Sequence, residues 1–203
     1  MKNSILKLDK SDWKLFKLGN LATEISERLQ NPKSSNYERF VGLNNFVSGE
    51  LQIKNWKSTK NVISSAKIFQ RGDILFARRN VYLKRASLVN FNGCCSGDAF
   101  VLRENYNNIF PGFLVLILNS NLLWDFAISN AAGTMSKRVK WRDLAEFEVL
   151  LPPKNRQEEI LNIIYSLDET IESKITFLKK YNLFLKRITE DHINGVLFKD
   201  KKK

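Results

Sequence analysis

Two stretches of this chain concentrate side chains that recognise polyanions. Arg78-Arg79-Asn80-Val81-Tyr82-Leu83-Lys84-Arg85 holds four cations, an amide and a phenol, with no acid among them. Thr134-Met135-Ser136-Lys137-Arg138-Val139-Lys140-Trp141-Arg142 is a second acid-free cationic run. Arginine bridges the guanine edge, asparagine matches adenine, and lysine holds phosphate. Arg78, Arg79, Asn80, Tyr82, Lys84 and Arg85 are therefore candidate nucleic-acid contacts, as are Lys137, Arg138 and Lys140. Arg78 has a second reading as a brace for the strand before it, and Trp141 as a packing residue under the next helix. A third stretch, Leu51 to Gln70, holds Lys54, Lys57, Lys60 and Lys67 around Trp56 and no acid. Cations interleaved with an aromatic suit a nucleic-acid surface, and Lys57 and Lys60 join the candidates. A solvated loop anchored by one tryptophan accounts equally well for that stretch.

Catalytic signatures are absent from the sequence. There is no glycine-rich phosphate loop ending in Lys-Ser/Thr, and no Gly-x-Gly-x-x-Gly for a dinucleotide or adenosyl cofactor. Asn31-Pro32 is followed by Lys33-Ser34, not by the proline and aromatic that amino-methyltransferases set against a flipped base. His192 is the only histidine, and its place near the chain's end suits a dipole-stabilised helix terminus. Asp73 and Asp98 follow glycines, where turn chemistry explains them. Cys94 and Cys95 are adjacent and have no second pair to complete a zinc site. The expectation is no catalytic residue, no metal and no cofactor. A small basic nuclease using Asp73 with Lys84 is the enzymatic alternative, and an adaptor whose charge only keeps it soluble is a third.

The net charge is +12, and +9 of it falls on residues 1–153, which favours a polyanionic partner. No apolar run reaches membrane-spanning length, and Met1 to Asp9 is too polar for a signal peptide. With two cysteines and no disulfide framework, a cytoplasmic location is expected.

The elements that must carry these loops are short. Strands are expected at Trp13–Leu18, Tyr37–Leu43, Ala66–Phe69, Ile74–Ala77, Ala86–Val89, Ala99–Leu102 and Phe147–Leu151. Helical segments are expected at Gly19–Leu29, Phe113–Leu118, Leu122–Ala132 and Asp143-Leu144. Gly93–Asp98 reads as a tight connection. Strands and helices mix without βαβ regularity, so the class is α+β with a mixed or antiparallel sheet.

After Leu151-Pro152-Pro153 the pattern changes. Asn155 and Glu158 are spaced as a capping box. Ile160, Ile164, Leu167, Ile171, Lys174, Leu178, Tyr181, Leu185, Ile188 and His192 then alternate at four and three, a coiled-coil seam broken only by Lys174 and His192. Gly195 stands where a C-terminal cap belongs. The organisation expected is a globular domain at 1–153, a long helix at 154–195 and a basic tail at 196–203. Such a seam needs a partner helix, with Ile160, Ile164, Leu167, Ile171, Leu178, Tyr181, Leu185 and Ile188 as its contacts.

Two patterns carry a family resemblance. One is Gly72-Asp73-Ile74-Leu75-Phe76-Ala77-Arg78 followed by Ser96-Gly97-Asp98-Ala99-Phe100-Val101-Leu102. The other runs from Gly133-Thr134 through Trp141-Arg142-Asp143-Leu144 and Phe147–Pro153 to Gln157-Glu158-Glu159-Ile160 and the long helix. Together they resemble the specificity subunit of a type I restriction-modification system. The resemblance implies a target-recognition domain that binds double-stranded DNA, a spacer helix, and no catalytic site. It implies adenine-methylating modification subunits and a restriction subunit as partners. A full subunit has two recognition domains and two helices paired antiparallel, whereas this chain has one of each. The helix is therefore expected to pair with a second copy, giving a homodimer that reads a split palindrome, or with a different half-subunit.

Overall fold

A computed structural model describes residues 9–199, without the side chains of residue 191 and residues 193–199. The polar N-terminus through residue 8 and residues 200–203 of the basic tail lie outside the described residues. The chain forms two compact units, one ending at Glu158 and the other beginning at Glu159.

The elements of the first unit follow in order: β1 (Lys14–Lys17), α1 (Leu18–Leu21), β2 (Ala22–Ile25), β3 (Arg28–Leu29), β4 (Arg39–Val41), β5 (Lys57–Ser58), β6 (Ala66–Phe69), β7 (Ile74–Ala77), β8 (Ala86–Leu88), β9 (Gly93–Ser96), β10 (Ala99–Glu104), α2 (Leu114–Leu118), α3 (Asn121–Ser129), α4 (Trp141–Leu144) and β11 (Glu148–Leu151). They build a four-stranded sheet in the order β2-β10-β7-β8, a five-stranded sheet in the order β3-β6-β9-β4-β5, and the pair β1-β11. β4 and β9 pair in parallel, and the other ladders are antiparallel. This is the α+β class with mixed sheets that the sequence implied.

The strand period of two explains how β7 and β10 serve two cores. Leu75, Ala99 and Val101 point at the five-stranded sheet and meet Val41, Phe69 and Cys95. On the other face Phe76 stacks on Trp124 of α3 at 4.7 Å and beside Phe100 at 6.1 Å. Both faces of β7 are thus covered, and all four of its residues are buried. Lys67, buried on β6, reaches Glu24 of β2 at 2.7 Å and ties the two sheets together. It is not one of the surface cations that its sequence neighbourhood implied. Asp73, almost wholly buried, is bound by Arg103 through Nε at 2.8 Å and Nη2 at 3.0 Å. That structural pairing leaves the nuclease alternative without its carboxylate.

Two sequence expectations are corrected in the sheets. The helix or helical turn expected at Gly19–Leu29 is a single turn at its start, α1, and the rest is β2 and β3, because Ala22–Ile25 pair along β10. Gly93–Asp98 is mostly strand: β9 lies at the centre of the five-stranded sheet, and both cysteines are buried there. Burial pushes the Cys94 thiol to about 11 and the Cys95 thiol to about 12. At Gly93 a β-carbon would stand 2.7 Å from the Arg39 carbonyl oxygen and 2.8 Å from the Phe69 ring, so no side chain fits between these strands.

The last element, α5, runs from Lys154 to Lys199, 46 residues. Its first amide bonds, from Arg156 and Gln157, go to the Pro153 carbonyl at 2.9 and 3.0 Å. Asn155 is therefore inside the first turn and not its cap. Gly195 is helical as well, and it does not end the helix. Among the described residues, no helix is long and apolar enough to cross a membrane.

Candidate nucleic-acid interface

The two cationic loops, far apart in sequence, form one surface. The chain leaves β7 through Arg78, whose backbone N–H donates to the Asp98 carbonyl at 3.0 Å and whose carbonyl accepts from Val139 N–H at 3.1 Å. Arg79 and Arg138 then form an isolated antiparallel bridge, and Asn80 N–H donates to the Lys137 carbonyl at 2.9 Å. Asn80 and Lys84 both adopt left-handed backbone conformations, φ 53° and 48°, bracketing a tight 3-10 turn at Val81–Leu83. Asparagine tolerates that conformation through its short polar side chain, whereas lysine does so at a conformational cost. The turn lifts Tyr82, which is 62% exposed, away from the body.

Asp98 is the residue that joins the loops. Its carboxylate accepts from Arg138 Nε at 2.8 Å and Nη2 at 3.2 Å, and from Arg79 Nη1 at 3.3 Å. The Arg138 guanidinium holds the Asp98 carboxyl below the usual carboxylate range, with Arg79 adding to the effect. Arg79 also donates from Nη2 to Ser136 Oγ at 3.1 Å. Each arginine keeps about two fifths of its side chain exposed. They are oriented at one end and open at the other, which suits planar recognition of a base edge or phosphate. Sequence reasoning assigned Asp98 to a turn and missed this role. The one signal available was its place in a Ser-Gly-Asp directly ahead of a strand within a motif of the resemblance.

The remaining predicted residues separate into groups. Lys137 and Lys140 are exposed on the second loop. Lys84 donates from Nζ to Asn121 Oδ1 at 3.3 Å. Arg78 lies over the Phe100 ring, 5.1 Å from its centre, which matches its reading as a strand brace. Trp141 meets the same ring edge-on at 6.0 Å, so it packs rather than projects. Arg85 turns back into the domain: Nη1 donates to the Leu43 carbonyl at 2.8 Å and Nη2 to the Arg79 carbonyl at 3.4 Å. Burial lowers its pKa. Its observed work is to brace the first loop from behind. Lys57 and Lys60 are exposed in a different place, on and just after β5 at the edge of the five-stranded sheet. On the long helix, Leu167, Ile171, Leu178, Tyr181, Leu185 and Ile188 are all exposed, while Ile160 and Ile164 are partly covered. Ile163, Phe177, Leu183 and Phe184, off the predicted seam, are exposed too. Among the described residues, no cluster of His, Cys, Asp and Glu is arranged to hold a metal.

The chain matches the type I restriction modification DNA specificity domain over residues 10–180, and it belongs to that family. It is 26% identical over 168 residues to the type I restriction enzyme HindI specificity subunit of Haemophilus influenzae, a match covering 80% of this chain and 36% of that protein. It is 23% identical over 170 residues to the EcoDI specificity subunit of Escherichia coli, covering 81% of this chain and 37% of that one. The crystal structure of the HsdS subunit from Thermoanaerobacter tengcongensis superposes with a TM-score of 0.66 at 26% identity, over 85% of this chain and 46% of that chain. The chain thus spans a little over a third of these curated relatives' length and under half of the solved subunit's.

Proposed function

We propose that this chain is the DNA-reading component of a type I restriction-modification assembly. It selects the double-stranded site at which modification subunits methylate adenine and to which a restriction subunit is directed, and it takes no part in the chemistry itself. The observation that carries this reading is the Asp98 clamp, which holds the Arg79 and Arg138 guanidinium groups together in a chain of this family. Arg79 and Arg138 read bases. Asn80, Tyr82, Lys84, Lys137 and Lys140 complete the contact surface, and Arg78 and Arg85 hold it in shape. Lys57 and Lys60 act from the sheet edge. Recognition resides in residues 1–153, and the helix from 154 to 195 pairs antiparallel with its counterpart in a second copy. Two buried, unpaired cysteines fit a reducing cytoplasm.

The test is methylation mapping with the modification subunits present. The chain is expected to direct methylation to one sequence, and Lys137→Ala with Arg138→Ala to abolish or relax that preference. A lost base contact should cost roughly 1–3 kcal/mol at one position. An unchanged methylation pattern in the double variant would refute the loop assignment.

A further inference from the structure

Beside β5 lies a groove of about 820 Å³ that the loop surface does not include. Its lining includes Lys33, Tyr37, Glu38, Arg39, Trp56 and Lys60. Small-molecule pockets are mostly apolar, whereas three cations face this space against the single acid Glu38. Lys33 and Lys60 are exposed. Its walls are fixed in advance. Thr59 Oγ1 donates to the Tyr37 carbonyl at 2.6 Å, and Thr59 N–H donates to the Glu38 carbonyl at 3.2 Å. The Arg39 guanidinium lies over two rings, 4.6 Å from Trp56 and 4.8 Å from Phe91. Trp56 is thereby held in place with 44% of its surface open.

The groove and the first loop are tied through one short segment. Arg39 begins β4, and four residues on, the Leu43 carbonyl receives Arg85 from behind the first loop. A positive, preformed groove on the segment that braces the first loop has the chemistry of a backbone contact.

We propose that the groove lined by Lys33, Arg39, Trp56 and Lys60 holds the sugar-phosphate backbone of the DNA just outside the base pairs that the loops read. This rests on the DNA-reading function proposed above. Lys33 and Lys60 neutralise phosphates, and the pinned face of Trp56 packs on a deoxyribose. The contact adds affinity without sequence preference.

The experiment measures affinity against salt for the full chain with its modification subunits. The probes are a duplex carrying the mapped site with a full helical turn of flanking DNA on each side, and the same site trimmed to its read positions. Lys33→Ala with Lys60→Ala should weaken binding of the long duplex roughly tenfold and lower its salt slope by about two. The trimmed duplex should lose much less affinity than the long one, and Lys33→Arg with Lys60→Arg, which keeps both charges, should keep the wild-type slope. Unchanged binding of the long duplex, or an equal loss on both duplexes, overturns the proposal. So does competition by a free mononucleotide at the groove, which would make it a nucleotide site. If Lys137→Ala with Arg138→Ala also leaves binding intact, the fault lies in the DNA-reading assignment. If that variant fails to bind while the groove variant binds normally, the groove proposal alone falls.

Discussion

Asp98 determines what Arg79 and Arg138 are free to do. An acid beside the two arginines proposed to read bases opposes a polyanion, yet it fixes the angle at which both guanidinium groups are presented. Charge at this position therefore exchanges affinity for discrimination. Asp98→Asn should raise affinity for unrelated DNA and increase the salt slope, while lowering the ratio between specific and unrelated duplexes; titration with the two duplexes measures both. A fall in affinity for unrelated DNA would contradict this account. The clamp's pH dependence follows from the direction of its shift. The folded pKa of Asp98 is lowered, so the clamp is intact above its ordinary titration range, about 3.9, and is lost only as pH falls through the lowered value. Discrimination should accordingly be flat across neutral pH. At this scale the sequence was partly legible: cation-rich loops could be found by composition, but which cations are paired depends on residues brought from other strands. Arg85 and Lys67 look no different in sequence from Arg79 and Lys57, and only the fold turns them inward.

Among the elements, the entry to α5 shows why a short motif recurs in the resemblance. Gln157 is 2% exposed, and its side-chain amide makes two bonds: Oε1 accepts from Phe110 N–H at 2.9 Å, and Nε2 donates to the Pro152 carbonyl at 2.8 Å. One glutamine thus fixes the loop after β10 to the end of β11 and the first turn of α5. Lys154 reinforces it by donating to the Tyr106 carbonyl. Gln157→Leu keeps the bulk but leaves two buried backbone groups unpaired, at a cost of about 1–3 kcal/mol for each buried group left unpaired. Thermal unfolding should show a fall of several degrees, and Gln157→Glu, which keeps the acceptor for Phe110 but turns a second acceptor on the buried Pro152 carbonyl, should fall as well. Strongly patterned elements were readable in advance: β7, β10 and α5 announce themselves by apolar runs or by seam. β2 and β9 were not, because Thr23 and Glu24 suit a helix as well as a strand, and Gly93 and Ser96 resemble turn residues. Pairing with β10 in one case and with β4 and β6 in the other decided their state, which is tertiary context overriding local preference. Gly195 misled for the opposite reason: a lone glycine weakens a helix by about 1 kcal/mol without ending it.

For the molecule as a whole, the arm is the element proposed to set the assembly. Leu167 and Ile171 are 54% and 55% exposed, and with the rest of the apolar face they offer a surface for a partner helix. An antiparallel twofold pair would place inverted half-sites about one turn, roughly 10 bp, apart. Light scattering should give a dimer at tens of micromolar, and Leu167→Glu with Ile171→Glu should yield a monomer whose globular unit unfolds normally but no longer selects a bipartite site. A wild-type monomer at that concentration would exclude the homodimer. The pairing of β1 with β11, Lys14 opposite Leu151 and Lys17 opposite Glu148, has a consequence of another kind. The recognition unit begins and finishes on the same two-stranded ribbon, so its interior is a closed loop hung from one point. Such a unit can be exchanged at the gene level for another of different sequence preference without altering where the polypeptide enters or leaves. Under the proposed function, a recombination event confined to the span between those two strands would redirect methylation to a new sequence in one step.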